Sequence, residues 1–281
     1  MPLLGLKDRK GKCIKWEDIA KGKGDFEDPP SILLALFSPR TKYCDFSVTE
    51  LLNDPYQEQM KRRFGFFESV DDMGDRMLGS SFHALMEQKA EHIKGMQTMS
   101  EERMTVEFPV SLPKEKKPRV IKIGGTTDLI LNNDTMWDYK TVTVGKLALM
   151  SKGKAYDGLI HWQHQLNIYR WLMWKTKGIT LKKLYIRAIV KDWRFYEFRK
   201  HGFDYKEYPR GLVIPITVMP FDDIEHELTI RVRQHVIASR VPDDSLHEVG
   251  ECDTWSNHTR CEHYCPLKRV CYFRNDNQEL D

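Results

Sequence analysis

Between Thr127 and Thr141 the chain reads Thr-Asp-Leu-Ile-Leu-Asn-Asn-Asp-Thr-Met-Trp-Asp-Tyr-Lys-Thr. Apolar runs on either side of Asn132-Asn133-Asp134 are a turn signal between strands. The pattern predicts short strands over Ile121 to Gly125 and Thr127 to Leu131, broken at Gly124-Gly125, and another over Met136 to Thr143. Residues two apart on a strand share a face, so Asp138 and Lys140 point the same way and Tyr139 points into the opposite layer. Nine residues separate Asp128 from Asp138. Two carboxylates supply hard oxygen ligands for Mg²⁺ or Mn²⁺. An ammonium one side chain away can orient or deprotonate a water and offset phosphate charge. A solvated Asp-Lys pair on a hairpin is the plain alternative, so the remaining residues have to decide.

Upstream, Gly79-Ser80-Ser81-Phe82-His83-Ala84-Leu85-Met86-Glu87 lies in a stretch predicted helical from about Asp72 to Ile93. Leu78, Phe82 and Leu85 recur at helical spacing and are expected to form a core stripe. His83 and Glu87, four apart, share an adjacent face. The small residues let that face lie close to a sheet or a phosphate backbone. Downstream, Ile160 to Lys175 reads as a long amphipathic helix with Leu159, Trp162, Leu166, Tyr169 and Met173 as its buried stripe, and Gln165 stands one turn before Tyr169. A lone helical His or a Gln-x-x-x-Tyr spacing is more often structural. The order His, Asp, Asp-x-Lys, Gln-x-x-x-Tyr is much harder to obtain by chance.

That series resembles the PD-(D/E)XK nuclease superfamily, and within it the RecB-type branch that includes phage exonucleases. The matching segments are Gly79 to Glu87, Gly125-Thr126-Thr127-Asp128, Trp137-Asp138-Tyr139-Lys140-Thr141 and Gln165-Leu166-Asn167-Ile168-Tyr169. The resemblance implies that His83, Asp128 and Asp138 ligate a divalent metal, with the Tyr139 carbonyl as a further ligand. It implies that Lys140 acts on the attacking water and that Gln165 and Tyr169 orient the site and the DNA strand. The first aspartate follows Thr127 rather than Pro. The second acid is Asp138 where many relatives carry Glu, which shortens the ligand arm by one methylene.

A second cluster is Cys252-x₈-Cys261-x₃-Cys265-x₅-Cys271, four of the six cysteines. The N-terminus has no apolar core followed by a small-residue cleavage site, and no stretch approaches a membrane span. A cytoplasmic location in a bacterial or phage-infected cell is expected, where disulfides are disfavoured and clustered thiols suit zinc or an iron–sulfur cluster. RecB-type nucleases often carry such a cluster, with one ligand just before a Pro upstream of the His motif. Here Asp54 precedes Pro55, so Cys252 would stand in, and all four ligands would come from the tail as a structural staple.

The formal charge of +3 excludes a globally basic DNA-coating protein, so local patches carry any nucleic-acid contact. Lys61, Arg62 and Arg63 follow a helix expected to start near Ser47. Lys114 to Arg119 looks like a basic hairpin tip. Arg187, Lys191 and Arg194 interleave with Trp193 and Phe195, as single-strand grooves do. Strands are also expected over Leu181 to Trp193 and Gly211 to Val218. A helix is expected over Asp222 to Arg240, with Ile224, Leu228, Val232, Val236 and Ile237 inward.

The expected architecture is α/β, a restriction-endonuclease-like central mixed sheet flanked by helices. An N-terminal helical lead-in (1–46), a nuclease core (47–241) and a small cysteine-rich cap (242–281) would make up the chain. The expected function is a Mg²⁺- or Mn²⁺-dependent deoxyribonuclease, an exonuclease or end-processing enzyme working with a recombinase, helicase or replication partner. The alternatives are a catalytically silent nuclease-fold DNA-binding or assembly module of a phage-like replication or recombination complex, and a zinc-bearing structural protein.

Overall fold

The computed structural model describes residues 3–35, 43–90, 92–113, 115–151, 157–202 and 210–250, together with Cys252, Cys261, Cys265, Leu267 and Cys271. The chain divides into two units interleaved along the sequence. One comprises Met1–Lys42, Asn53–Leu78 and Arg231–Asp281, the other Tyr43–Leu52 and Gly79–Ile230.

In the first unit, β1 (Leu3–Lys7) and β2 (Cys13–Lys15) form an antiparallel hairpin, and β4 (Phe66–Ser69) joins β1 in parallel. Strands thus occupy the segment expected to be a helical lead-in. Gly11, at φ 75°, turns the chain, and Ile14 is buried between exposed Cys13 and Lys15, a two-residue alternation too short for a helix to use. Trp16 and Ile19 of α1 (Trp16–Ile19) and Leu33 of α2 (Pro30–Ala35) complete that core. The helix expected near Ser47 is two, α3 (Val48–Leu52) and α4 (Pro55–Arg63), because Pro55 cannot accept continuation of the preceding turn.

The second unit holds a six-stranded mixed sheet. Its order is β3 (Phe46–Ser47), β6 (Arg119–Leu131), β7 (Thr135–Val142), β8 (Lys183–Val190) and β9 (Gly211–Ile216), with β5 (Thr98–Val110) also paired to β6. β6 is one continuous strand, where two short ones broken at Gly124-Gly125 were expected. The glycines serve close approach instead: a Cβ at Gly124 would lie 2.7 Å from the Tyr43 ring and one at Gly125 2.5 Å from the Tyr169 ring. β7 and β8 are parallel through eight register pairs, from Thr135↔Lys183 to Val142↔Val190. A parallel pair needs a crossover, and α6 (Val144–Ser151) and α7 (Asp157–Lys177) supply it.

Trp162, Leu166, Tyr169 and Met173 of α7 are buried as expected, but so are Ile168, Trp171, Leu172, Asn167 and Arg170. This helix is enclosed on most sides rather than amphipathic. On α5 (Val70–Ala90) the expected core stripe is corrected. Leu78 and Leu85 are 48% and 47% exposed, and only Phe82 of the three turns inward, edge-on to Tyr139 at 5.8 Å between ring centroids. In α9 (Phe221–Ala238) Ile224, Leu228, Val232 and Val236 are buried, while Ile237 is 41% exposed and leaves the predicted inner face. The short helix α8 (Phe195–Lys200) follows β8, and a 3₁₀ turn spans Asp243–Val249. No helix among the described residues is long and apolar enough to cross a membrane.

Candidate active site

The ladder between β6 and β7 runs from Leu131↔Thr135 to Leu129↔Trp137 and stops there. On the same side of β6, β3 pairs only with Ile123 and Gly124. The acidic residues sit at this fork. Beyond the end of the ladder, the Tyr139 backbone N–H donates to Asp128 Oδ2 at 2.6 Å, so a carboxylate replaces the missing strand partner. The other oxygen, Asp128 Oδ1, lies 3.2 Å from His83 Nδ1. His83 reaches it because the small-residue face of α5 rests on β7: a Cβ at Gly79 would lie 3.6 Å from Thr141 Oγ1. The hydrogen bond to Asp128 raises the His83 pKa against an opposing burial effect.

Asp138 and Lys140 share a face, as the strand period demands, and Tyr139 points to the other side, where its ring meets Phe82 and His83. Asp138 is 3% exposed, and burial pushes its pKa up to about 6 despite the pull of Lys140. Its Oδ2 lies 2.8 Å from Lys140 Nζ, in ionic contact, yet accepts no well-angled hydrogen bond. Burial pulls Lys140 down, but Asp138 and the nearby Tyr169 oxygen more than offset this and hold its pKa above the ordinary value. Gln165 Nε2 donates to Tyr169 OH at 3.1 Å, both residues buried, and burial pushes the Tyr169 phenol up to about 12.

One residue at this fork is absent from the sequence reading. Glu101 of β5 stands across from Asp128, between the pairs Ser100↔Leu129 and Glu102↔Thr127, with φ 47°. A left-handed backbone at a glutamate is uncommon. Ligand atoms of His83, Glu101 and Asp128 lie within 4.8 Å of one another. Asp138 is not in that trio, because its carboxylate is turned to Lys140. Glu101 belongs to no motif, and its approach is decided by strand pairing alone, so no signal in the sequence marks it.

The donor set of the trio is one imidazole and carboxylate oxygens. This fits a hard divalent cation, and His83, Glu101 and Asp128 would hold it, while Asp138 would have to turn from Lys140 to join them.

Of the cations nominated for nucleic acid, Lys61 pairs with buried Glu58 at 3.0 Å. Arg63 donates to the Val241 and Ala238 carbonyls and to Asp243, and Arg62 lies between these two on α4. The Lys61 and Arg63 side chains are committed to the protein itself. Arg187 stands in register with Tyr139 on the adjacent strand, the Lys191 N–H donates to the Val142 carbonyl, and Arg194 is exposed just before α8. Lys114 lies outside the described residues.

Cys261 and Cys271 are buried, and Cys252 and Cys265 half-buried. Cys271, Cys252 and Cys265 gather on one apolar cluster with Tyr56, Met60, Phe66, Leu246 and Leu267, and Tyr56 OH lies 3.7 Å from Cys271 Sγ. The metal-spaced trio found among the described residues is the His83 one and includes no sulfur. Most of the cap, with Trp255, His258 and His263, lies outside the described residues.

Fold and site together are those of an α/β nuclease with a candidate hard-cation site at the fork of its sheet. The family model for the PD-(D/E)XK nuclease superfamily matches residues 87–272, and the chain belongs to that superfamily. The matched span takes in Asp128, Asp138, Lys140, Gln165 and Tyr169, and begins four residues after His83. No curated protein matches the chain significantly.

Among solved structures, the protein SSO0001 is similar at 16% identity and a TM-score of 0.48, over 84% of this chain and 89% of the other. The alkaline exonuclease LHK-Exo of Laribacter hongkongensis is similar at 8% identity and a TM-score of 0.38, over 73% and 94%. A protein from Eubacterium rectale described as an exonuclease follows at 12% identity and a TM-score of 0.34, over 95% and 87%. At these scores the likenesses carry no argument, and the assignment rests on the family model.

Proposed function

We propose that this nuclease is a Mg²⁺- or Mn²⁺-dependent deoxyribonuclease of the RecB-type branch, acting as an exonuclease or end-processing enzyme. The observation that carries the reading is the fork itself: His83, Glu101 and Asp128 converge beside a buried Asp138–Lys140 pair. A divalent ion held there supplies Lewis-acid polarisation of the phosphate and an acidified water. Asp128 is held in place by the Tyr139 N–H and by His83, so its oxygens are preorganised. The Tyr139 carbonyl is assigned as a further ligand.

Lys140 stays protonated beside Asp138, so its role is that of a donor: it holds the attacking water and offsets charge on the phosphate. Tyr169, kept neutral by burial and held by Gln165, orients Lys140 and the strand.

DNA is the proposed substrate, in the cytoplasm, delivered by a recombinase, helicase or replication partner. The four cysteines are proposed to bind an iron–sulfur cluster or Zn²⁺ as a structural staple.

The test is incubation of purified protein with end-labelled single- and double-stranded DNA, with Mn²⁺, Mg²⁺ or EDTA. Metal-dependent release of label is expected, and Asp138→Ala and Lys140→Ala abolish it while melting cooperatively. Undiminished cutting by Lys140→Ala removes the mechanism. Binding without cutting in either metal supports the silent module instead.

A further inference from the structure

Beside the acidic fork stands a cation with no part in the site described above. The neighbours of Arg103 on β5 turn to one face of the sheet: Glu102 pairs with Lys177, the last residue of α7, at 2.8 Å, and Met104 is buried. Strand alternation puts Arg103 on the other face, where it is exposed. There its guanidinium carbon sits 4.5 Å from the centre of the Tyr43 ring, and it enters no ion pair among the described residues.

The ring that carries Arg103 is itself fixed. Tyr43 OH lies 3.4 Å from Thr126 Oγ1, and the ring fills the space over Gly124, where a Cβ would come within 2.7 Å of it. Thr126 is the register partner of Arg103 across β5 and β6. Two residues further along these strands stand Glu101 and Asp128, two of the three residues at ligand spacing. Thr126 and Asp128 share a face of β6. Two residues of an antiparallel strand span about 7 Å, and a DNA strand covers that distance in about one to two nucleotides.

We propose that Arg103, held on Tyr43, binds a phosphate of the nucleic-acid strand about one to two nucleotides from the phosphate that is cut. The inference rests on the nuclease reading and deepens it. A planar guanidinium can offer two N–H donors to a phosphate while its face stays on an aromatic ring. Holding it there in advance leaves less rotamer freedom to lose on binding. Arg103 therefore sets which linkage lies over the fork, and Tyr43 is a positioning residue that acts through it. The contact is to the backbone and reads no base.

The experiment compares wild type with Arg103→Gln, Arg103→Lys and Tyr43→Leu. It measures DNA binding by fluorescence anisotropy in EDTA, kcat and KM in Mn²⁺, and Mn²⁺ affinity by calorimetry. Arg103→Gln is expected to bind DNA of any sequence about tenfold more weakly, with the salt slope reduced by about 0.9 on duplex or about 0.7 on single strands. Its loss of activity falls on KM more than on kcat, and its Mn²⁺ affinity is not reduced. Arg103→Lys and Tyr43→Leu keep the charge, so they retain the salt slope while losing part of the affinity. A single neutral methylphosphonate is moved along the strand, and at the seated linkage it removes the difference between wild type and Arg103→Gln. A defect confined to 5′-phosphorylated ends assigns the seat to a terminal phosphate, and an equal defect on 5′-hydroxyl ends assigns it to an internal one.

If wild type cuts DNA but Arg103→Gln matches it in salt slope and KM, the phosphate seat is wrong and the nuclease stands. The same holds if neither the methylphosphonate nor removal of the terminal phosphate abolishes their difference. Weakened Mn²⁺ binding by Arg103→Gln would assign Arg103 to holding the acidic fork and would also overturn the seat. If wild type neither binds nor cuts DNA, the nuclease reading fails first, and the seat with it.

Discussion

Asp138 is the residue with most at stake. Its carboxyl pKa, about 6 in the folded chain against 3.8 for the free side chain, means that ionising it works against the fold. The folded state binds the extra proton between those values. The associated stability is therefore fully present below pH 3.8 and lost as pH rises through about 6. In EDTA, urea midpoints of wild type are expected to fall across that window and those of Asp138→Asn to fall less. Adding Mn²⁺ is expected to raise the wild-type melting temperature more at pH 8 than at pH 5, since the cation binds only the ionised form. Equal increments at the two pH values would exclude Asp138 as a ligand.

Glu101 offers a separable test at the same scale. Replacing it with Gly relieves a left-handed backbone worth roughly 1 kcal/mol and also removes a carboxylate. Glu101→Gly is thus expected to melt higher than wild type in EDTA yet to bind Mn²⁺ about tenfold or more weakly by calorimetry. Glu101→Gln is expected to show the weaker binding without the backbone gain.

Among the elements, α7 does more than cover the sheet. Its buried Asn167 donates to the Gln163 and Thr217 carbonyls and accepts from the Met219 N–H, at 2.8, 2.9 and 2.8 Å. Arg170 donates to the Leu181 and Met219 carbonyls. These bonds pin the segment after β9 to the helix. Asn167→Ala strands buried backbone groups and is expected to cost about 2–3 kcal/mol in urea denaturation.

Strand β6 carries a complementary constraint. A methyl at Gly125 would meet the Tyr169 ring at 2.5 Å, with Val48 at 3.1 Å on another side. Gly125→Ala is expected to destabilise by about 1–3 kcal/mol. It should also lower kcat with little change in KM, because the displaced ring is the one beside Lys140. A stability loss with unchanged kcat would separate Tyr169 from the chemistry.

At the scale of the whole molecule, the acidic fork and the cysteine cluster lie in different units of the chain. Their metals should therefore be separable. Brief EDTA treatment is expected to abolish cutting, with recovery on adding Mn²⁺. The iron or zinc proposed for the cysteines should remain by elemental analysis and, for iron–sulfur, by absorbance near ~400 nm. Protein purified anaerobically without either metal would remove the cysteine proposal and leave the nuclease untouched.

Residue types at fixed separations were enough to specify the motif set, because its geometry is local. The two-residue strand period sets Asp138 beside Lys140, the helical turn joins Gln165 to Tyr169, and alternating apolar runs announce the mixed α/β sheet. What the sequence could not decide is whatever depends on one element meeting another. Glu101 reaches Asp128 only through the β5–β6 register, and Arg103 reaches Tyr43 only because β3 and β5 both pair with β6. Gly124 and Gly125 looked like a strand break because a bare glycine does not say which ring will pack against it. Leu78 and Leu85 have the spacing of a core stripe and still face outward, since periodicity names a face but not the surface that covers it. Side-chain partners far apart in sequence are chosen by packing and strand pairing, and those choices belong to the tertiary structure.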